Sequence, residues 1–166
     1  MLASLMGASS TLSNAKMDFR KFTFIDVGSG KGRALLMAAD YPFRRILGIE
    51  LLPELHRVAK ENIGKYKSAS QQCLTIECVL GDACEFAFPP EPTVLYLFNP
   101  LPESGLVRMV RNLEQSLRGH PRPVFVLYHN PLLGEVLTRN AGFKRIAGTH
   151  QYAIFASERG DAVGVI

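Results

Sequence analysis

Between Phe24 and Arg33 an apolar run closes on an acid and passes at once into alternating glycines, Phe24-Ile25-Asp26-Val27-Gly28-Ser29-Gly30-Lys31-Gly32-Arg33. Few folds accommodate such a string. A backbone without Cβ atoms can turn sharply off a strand and lie close against a ligand. The helix that follows offers unpaired N–H groups and the positive end of its dipole. The run therefore predicts a strand, a ligand-cradling loop and a helix start in direct succession. A dinucleotide fingerprint G-x-G-x-x-G is not met, because Arg33 stands where its third glycine belongs and Gly32 comes one residue early. The phosphate-loop pattern G-x-x-x-x-G-K-[ST] is absent as well, since Gly32 rather than a hydroxyl residue follows Lys31.

From Lys21 onward strand and helix signals alternate, which predicts a parallel sheet covered on both faces by helices. Phe22 to Val27 reads as a buried strand and Lys31 to Asp40 as a helix stopped by Tyr41-Pro42. Arg45 to Ile49 is the second strand, with Glu50 at its end. Pro53 fits the first turn of a helix whose inner face is Leu55, Val58, Ala59 and Ile63. Cys73 to Leu80 is the third strand and Thr93 to Phe98 the fourth. Leu106, Met109, Val110, Leu113 and Leu117 then recur at helical steps. Val124 to Tyr128 is the fifth strand and Leu132 to about Asn140 a helix. Phe143 to Gly148 and Gln151 to Ser157 follow as a terminal hairpin. The expected organisation is an N-terminal lead over 1–20, helical or disordered, one domain over 21–157, and a tail over 158–166.

A chain of 166 residues with 47% apolar and 20% charged side chains supports one domain with a sizeable core. The formal charge of +4 permits an anionic partner, but no basic run has the length expected of a nucleic-acid tail. Cys73, Cys78 and Cys84 are odd in number and spaced by five and six positions, so neither a disulfide framework nor a C-x-x-C metal knuckle is implied; no metal is expected. Reduced, cytoplasmic conditions fit that cysteine usage. No apolar run approaches the roughly 20 residues of a membrane span, and the start of the chain lacks the basic n-region of a secretory signal.

Read as D-x-G-x-G-x-G, with Asp26 two residues ahead of Gly28, the loop resembles motif I of the class I, Rossmann-like S-adenosylmethionine-dependent methyltransferases. The terminal hairpin resembles the sixth and seventh strands of that fold, so the likeness runs from Lys21 to Ser157. It implies an α/β three-layer sandwich: a mostly parallel seven-stranded sheet with an antiparallel last strand and helices on both faces. In open α/β sheets the ligand lies beyond the carboxyl ends of the strands, and there the resemblance places S-adenosyl-L-methionine on Asp26, Gly28, Ser29, Gly30, Glu50, Leu51, Asp82, Ala83 and Asn99. Asp26 would orient the loop and reach toward the cofactor's amino-acid end. Glu50, about 20 residues after the first glycine, would accept the ribose hydroxyls, and Leu51 and Leu52 would wall the adenine. In Gly81-Asp82-Ala83 the acid would accept the adenine amino group while the neighbouring backbone reads a ring nitrogen.

Phe98-Asn99-Pro100-Leu101-Pro102 is similar to the N-P-P-[YF] segment of methyltransferases acting on nitrogen, which implies that Asn99 is the catalytic contact to a target amine. Leu101 replaces the second proline and no aromatic follows, so stacking on a nucleobase is without support at this point. His129-Asn130-Pro131 repeats the ending and could set an imidazole at the rim as a base. The G-S-G-K-G-R loop and the Gly48-Ile49-Glu50 strand end also look like protein-lysine methyltransferases of the seven-strand type. The resulting expectation is in-line methyl transfer to nitrogen, with a protein amine favoured over RNA or a small metabolite. A non-catalytic, cofactor-binding accessory subunit is the competing reading.

Overall fold

The structure is a computed structural model, and it describes residues 17–140 and 142–157. The expected lead before Met17 and the tail over 158–166 lie outside the described residues. A single 3-10 turn, Phe19–Lys21, capped by the Asp18 carboxylate accepting from the Arg20 N–H, leads into the sheet.

The strands are β1 (Thr23–Val27), β2 (Arg45–Glu50), β3 (Ile76–Leu80), β4 (Thr93–Leu97), β5 (Val124–His129), β6 (Phe143–Gly148) and β7 (Tyr152–Ser157). The α-helices are α1 (Arg33–Ala38), α2 (Pro53–Lys65), α3 (Glu103–Gly119) and α4 (Glu135–Asn140). One seven-stranded sheet runs β3-β2-β1-β4-β5-β7-β6. The first five strands pair in parallel, and β7 runs antiparallel to both β5 and β6. The chain reverses at β1, with β2 and β3 on one side and β4 and β5 on the other, so the carboxyl ends of β1 and β4 flank the crevice where such sheets take ligands.

Alternation along the central strands separates two packed layers. Ile25, Val27, Leu47, Ile49, Leu95, Leu97, Val126 and Tyr128 face α3, whose Leu106, Met109, Val110, Leu113 and Leu117 are buried at three- and four-residue steps, and Val136 and Leu137 of α4 close the same layer. Phe24, Ile46, Val94, Tyr96, Leu127 and Ile154 face the other way, onto Leu35 and Ala38 of α1, with Ile63 of α2 against them. Each such side chain removed from water contributes on the order of 1.5–3 kcal/mol. β1 and β4 are buried along their whole length, whereas the two edge strands are largely exposed. Lys144 and Arg145 on β6 and Glu77 on β3 put charge on those edges, which discourages pairing with another chain.

Several element boundaries differ from the sequence expectation. α1 begins at Arg33 rather than Lys31, because Gly32 sits in the left-handed region with φ 83° and ends the loop instead of starting the helix. α4 begins at Glu135 rather than Leu132: tight backbone bonds from Leu132 N–H to Asn130 O and from Gly134 N–H to Pro131 O occupy the preceding residues. β3 starts at Ile76, since Cys73 is tied by its N–H to Ala39 O and not to a strand. α3 starts at Glu103, earlier than its apolar face, with Pro102 at the cap.

Candidate functional site

The glycine loop is fastened to the end of β2. The N–H groups of Gly28 and Ser29 both donate to Ile49 O, at 2.9 and 3.1 Å, and Gly32 N–H donates to Ser29 O at 2.9 Å. Gly28, Gly30 and Gly32 all have positive φ, 70°, 55° and 83°, a region in which a side chain is strained. At Gly28 a Cβ would also stand 2.8 Å from Pro100 Cβ, so the loop after β1 and the loop after β4 are in contact. A Cβ at Gly30 would meet nothing within 4 Å. The backbone is bare on that side.

Glu50, 5% exposed, secures the bend from below. Its Oε2 accepts from Gly30 N–H and its Oε1 from Leu52 N–H, both at 2.8 Å. Beside it the Asp26 carboxyl is 4% exposed and has no hydrogen-bond partner among the described residues. Burial, reinforced by the Glu50 charge, pushes the Asp26 carboxyl up to about 8. A nearly buried acid without a donor is costly, and a cation placed against it would remove that cost.

The third strand end joins the same rim. Gly81 N–H donates to Glu50 O at 2.9 Å, and one residue on the Asp82 carboxylate accepts from Cys84 N–H at 2.8 Å, which holds it below the usual carboxylate range. The Asp82 oxygens retain further lone pairs. Ala83 is packed into the core, so only its backbone is available to a ligand. Leu51 is 61% exposed at the rim. Ser29 is turned inward: its hydroxyl lies 3.4 Å from Cys78 Sγ, over Gly48, where a Cβ would stand 2.7 Å from Ser29 Oγ. Its N–H and carbonyl are also engaged, with Ile49 O and Gly32 N–H. Lys31 and Arg33 line a separate surface cleft with Met37, Asn62 and Tyr66, between α1 and α2.

On the other side of the crevice Asn99 and Asn130 both adopt the left-handed conformation, at φ 46° and 49°, which asparagine tolerates better than most residues. Asn99 Nδ2 donates to Asn130 O, and Asn99 Oδ1 accepts from the Tyr128 hydroxyl, each at 2.9 Å. The Tyr96 hydroxyl lies 3.3 Å from His129 Nδ1. Burial, with a smaller contribution from the neighbouring Asp26 charge, pushes that phenol up to about 12, so it stays neutral. Phe98, 57% exposed, stacks on the His129 imidazole at 4.5 Å and 20°. Tyr96, Tyr128 and Phe98 were not singled out by sequence reasoning. An aromatic surface does exist here, preceding Asn99 rather than following it. No group of side chains suited to a metal ion occurs among the described residues, and none of the described helices is long and apolar enough to cross a membrane.

The loops after β1, β2, β3 and β4 thus share one rim. Residues 25–98 match the family model described as a methyltransferase domain. No curated protein matches the chain. Among solved structures, an RNA methyltransferase from Salinibacter ruber in complex with S-adenosyl-L-homocysteine is 22% identical, with a TM-score of 0.57 over 96% of this chain and 94% of that one. A magnesium protoporphyrin IX methyltransferase from Synechocystis PCC 6803 with bound SAH is 11% identical, with a TM-score of 0.64 over 95% and 82%. A ribosomal protein L11 methylase from Lactobacillus delbrueckii subsp. bulgaricus is 17% identical, with a TM-score of 0.54 over 81% and 69%. At such identities the likeness is one of fold. The chain has the fold of the class I methyltransferases, and residues 25–98 within it match a methyltransferase-domain model.

Proposed function

We propose that this chain is a class I methyltransferase that takes S-adenosyl-L-methionine across the ends of β1, β2 and β3 and transfers its methyl group to nitrogen. The observation that carries the reading is the pairing of Glu50, locked to Gly30 and Leu52, with the unpartnered Asp26 carboxyl beside it. Asp26 suits the cationic amino group of the cofactor, the bare backbone at Gly30 its close approach, Glu50 its ribose hydroxyls and Asp82 its adenine amine. When bound, that cofactor supplies an electrophilic methyl: the acceptor's lone pair forms the carbon–nitrogen bond as the carbon–sulfur bond breaks and its electron pair stays on sulfur. The chain's own part is to orient and to exclude water. Nitrogen is supported by Asn99, an amide able to engage an amine, at the end of β4. The methylated nitrogen keeps its proton until the product leaves and gives it up to bulk solvent.

The resemblance to protein-lysine methyltransferases rests on the glycine loop and the end of β2. Both lie on the donor side and speak to the cofactor rather than to the acceptor. Calorimetry tests the donor assignment: S-adenosylmethionine should bind and nicotinamide dinucleotides should not. Glu50→Ala should weaken binding by roughly tenfold to a hundredfold, the worth of hydrogen bonds to a charged group. Binding of a nicotinamide cofactor alone would overturn it. Labelled cofactor incubated with a lysate, then split by nuclease, protease and dialysis, identifies the acceptor class.

A further inference from the structure

Between α1 and α2 lies a cleft of about 360 Å³, lined by none of the residues assigned to the donor or the acceptor. That size falls within the roughly 300–1,000 Å³ of small-molecule sites. Its two ends differ in charge. Lys31 and Arg33, both exposed, stand at the start of α1 and have no acidic partner among the described residues. Asp40 lies just past the end of α1, about 10 Å from Arg33 at the helical rise. Between the two ends the walls are apolar and aromatic, with Leu36 and Met37 on α1 and Tyr66 at the end of α2.

Named contacts fix this shape. At the cationic end Asn62 Nδ2 donates to Lys31 O at 2.9 Å, and a Cβ at Gly32 would stand 3.4 Å from Ala59 Cβ, so the two helices meet there. At the acidic end the Ser70 hydroxyl donates to Asp40 Oδ1 at 2.7 Å and Gln72 Nε2 to Asp40 O at 2.6 Å. The second Asp40 carboxylate oxygen and the Asn62 carbonyl oxygen keep their acceptor capacity.

Such a cleft suits a ligand with an anion at one end, a hydrogen-bond donor at the other and a flat apolar body between. An acidic peptide would set like charge against Asp40. A nucleoside phosphate has all three parts: its phosphate pairs with Lys31 and Arg33, its base lies on the wall that holds Tyr66, and an exocyclic amine donates to Asp40, as cytosine N4 does to an aspartate. Asn62 is left for the ribose hydroxyls. We propose that the cleft between α1 and α2 is a second ligand site, for an amine-bearing nucleotide, free or as one residue of an RNA strand. It is separate from the donor site, and its occupancy does not require methyl transfer.

Calorimetry in saturating S-adenosylhomocysteine, which keeps adenosine out of the crevice, tests this. AMP and CMP should bind. UMP, without the amine, and adenosine, without the phosphate, should each bind roughly tenfold more weakly, the scale of one hydrogen bond to a charged group. Arg33→Glu, at an exposed position, should weaken AMP by at least roughly the same factor. Asp40→Asn should bring UMP and AMP closer together, because an amide can donate to the uracil carbonyl. An oligoadenylate octamer bound far more tightly than AMP marks the RNA strand as the source, and an octamer bound no better marks the free nucleotide. No response to AMP, CMP or the octamer overturns the site, as does AMP binding that Arg33→Glu leaves unchanged, AMP displaced by S-adenosylhomocysteine, or binding of a glutamate-rich peptide alone. Failure of S-adenosylhomocysteine itself to bind counts against the donor assignment, while the response of AMP to Arg33→Glu still reports on the cleft.

Discussion

Asp26 carries the clearest consequence at the scale of single residues. Its carboxyl is pushed up from 3.8 to about 8 by burial and by Glu50, so in the free protein it holds a proton at neutral pH. The sign for folding follows from linkage: the unfolded chain gives up this proton near pH 4 and the folded chain only near 8. The neutral carboxyl therefore favours the fold most below pH 4, and that contribution is lost as the pH rises through about 8. Thermal melts of the free protein should show falling stability between pH 5 and 8, and Asp26→Asn should flatten the slope. A cationic ligand prefers the ionised carboxylate, so affinity for S-adenosylmethionine should rise over the same window and level off above it. In Asp26→Asn affinity should be lower and nearly independent of pH, as calorimetry at three pH values will show. Gly28 supplies a second case. Its φ of 70° and the 2.8 Å approach of a Cβ to Pro100 mean that Gly28→Ala strains the backbone and pushes the loops after β1 and β4 apart. The left-handed conformation alone costs about 1–2 kcal/mol, visible as a lower melting temperature together with weaker cofactor binding. The acid-glycine spacing and Glu50 were legible in the sequence because each is set by a few neighbouring residues. The Phe98–His129 stack was not, since its partners are 31 positions apart and meet only through the pairing of β4 with β5.

At the scale of elements, hydrophobic periodicity identified every strand and helix of the sheet, while their ends depended on chemistry that periodicity does not carry. Gly32 delays α1 through its left-handed backbone, and the bonds around Pro131 delay α4. α3 was the most readable because its long apolar stripe has one place to go. That stripe makes a direct prediction. Leu113 is fully buried at its centre, so Leu113→Ala should cost about 2–5 kcal/mol. Urea titration should show a lower midpoint with the slope unchanged. Cofactor affinity should stay within about twofold, because α3 packs behind the sheet face opposite α1.

At the scale of the whole molecule, the parallel half of the sheet was predictable unit by unit, since β1, β2, β4 and β5 are each followed by a helix and β3 alone passes to the next strand through a loop. The terminal hairpin was also expected, but only the structure shows β7 inserted between β5 and β6. The central strands β1 and β4 are buried end to end, whereas β3 and β6 lie at open edges. Amide hydrogen exchange should therefore be slowest in β1 and β4 and fastest in β3 and β6. Uniform protection across the seven strands would contradict this packing. The hydrogen bond from Asn99 Nδ2 to Asn130 O clamps two turns that belong to different strands, both bent into the same rare backbone shape. That tie stands apart from Glu50 and Asp82, but Pro100 beside it touches the glycine loop at Gly28, so a change in the turn after β4 is felt on both sides of the crevice.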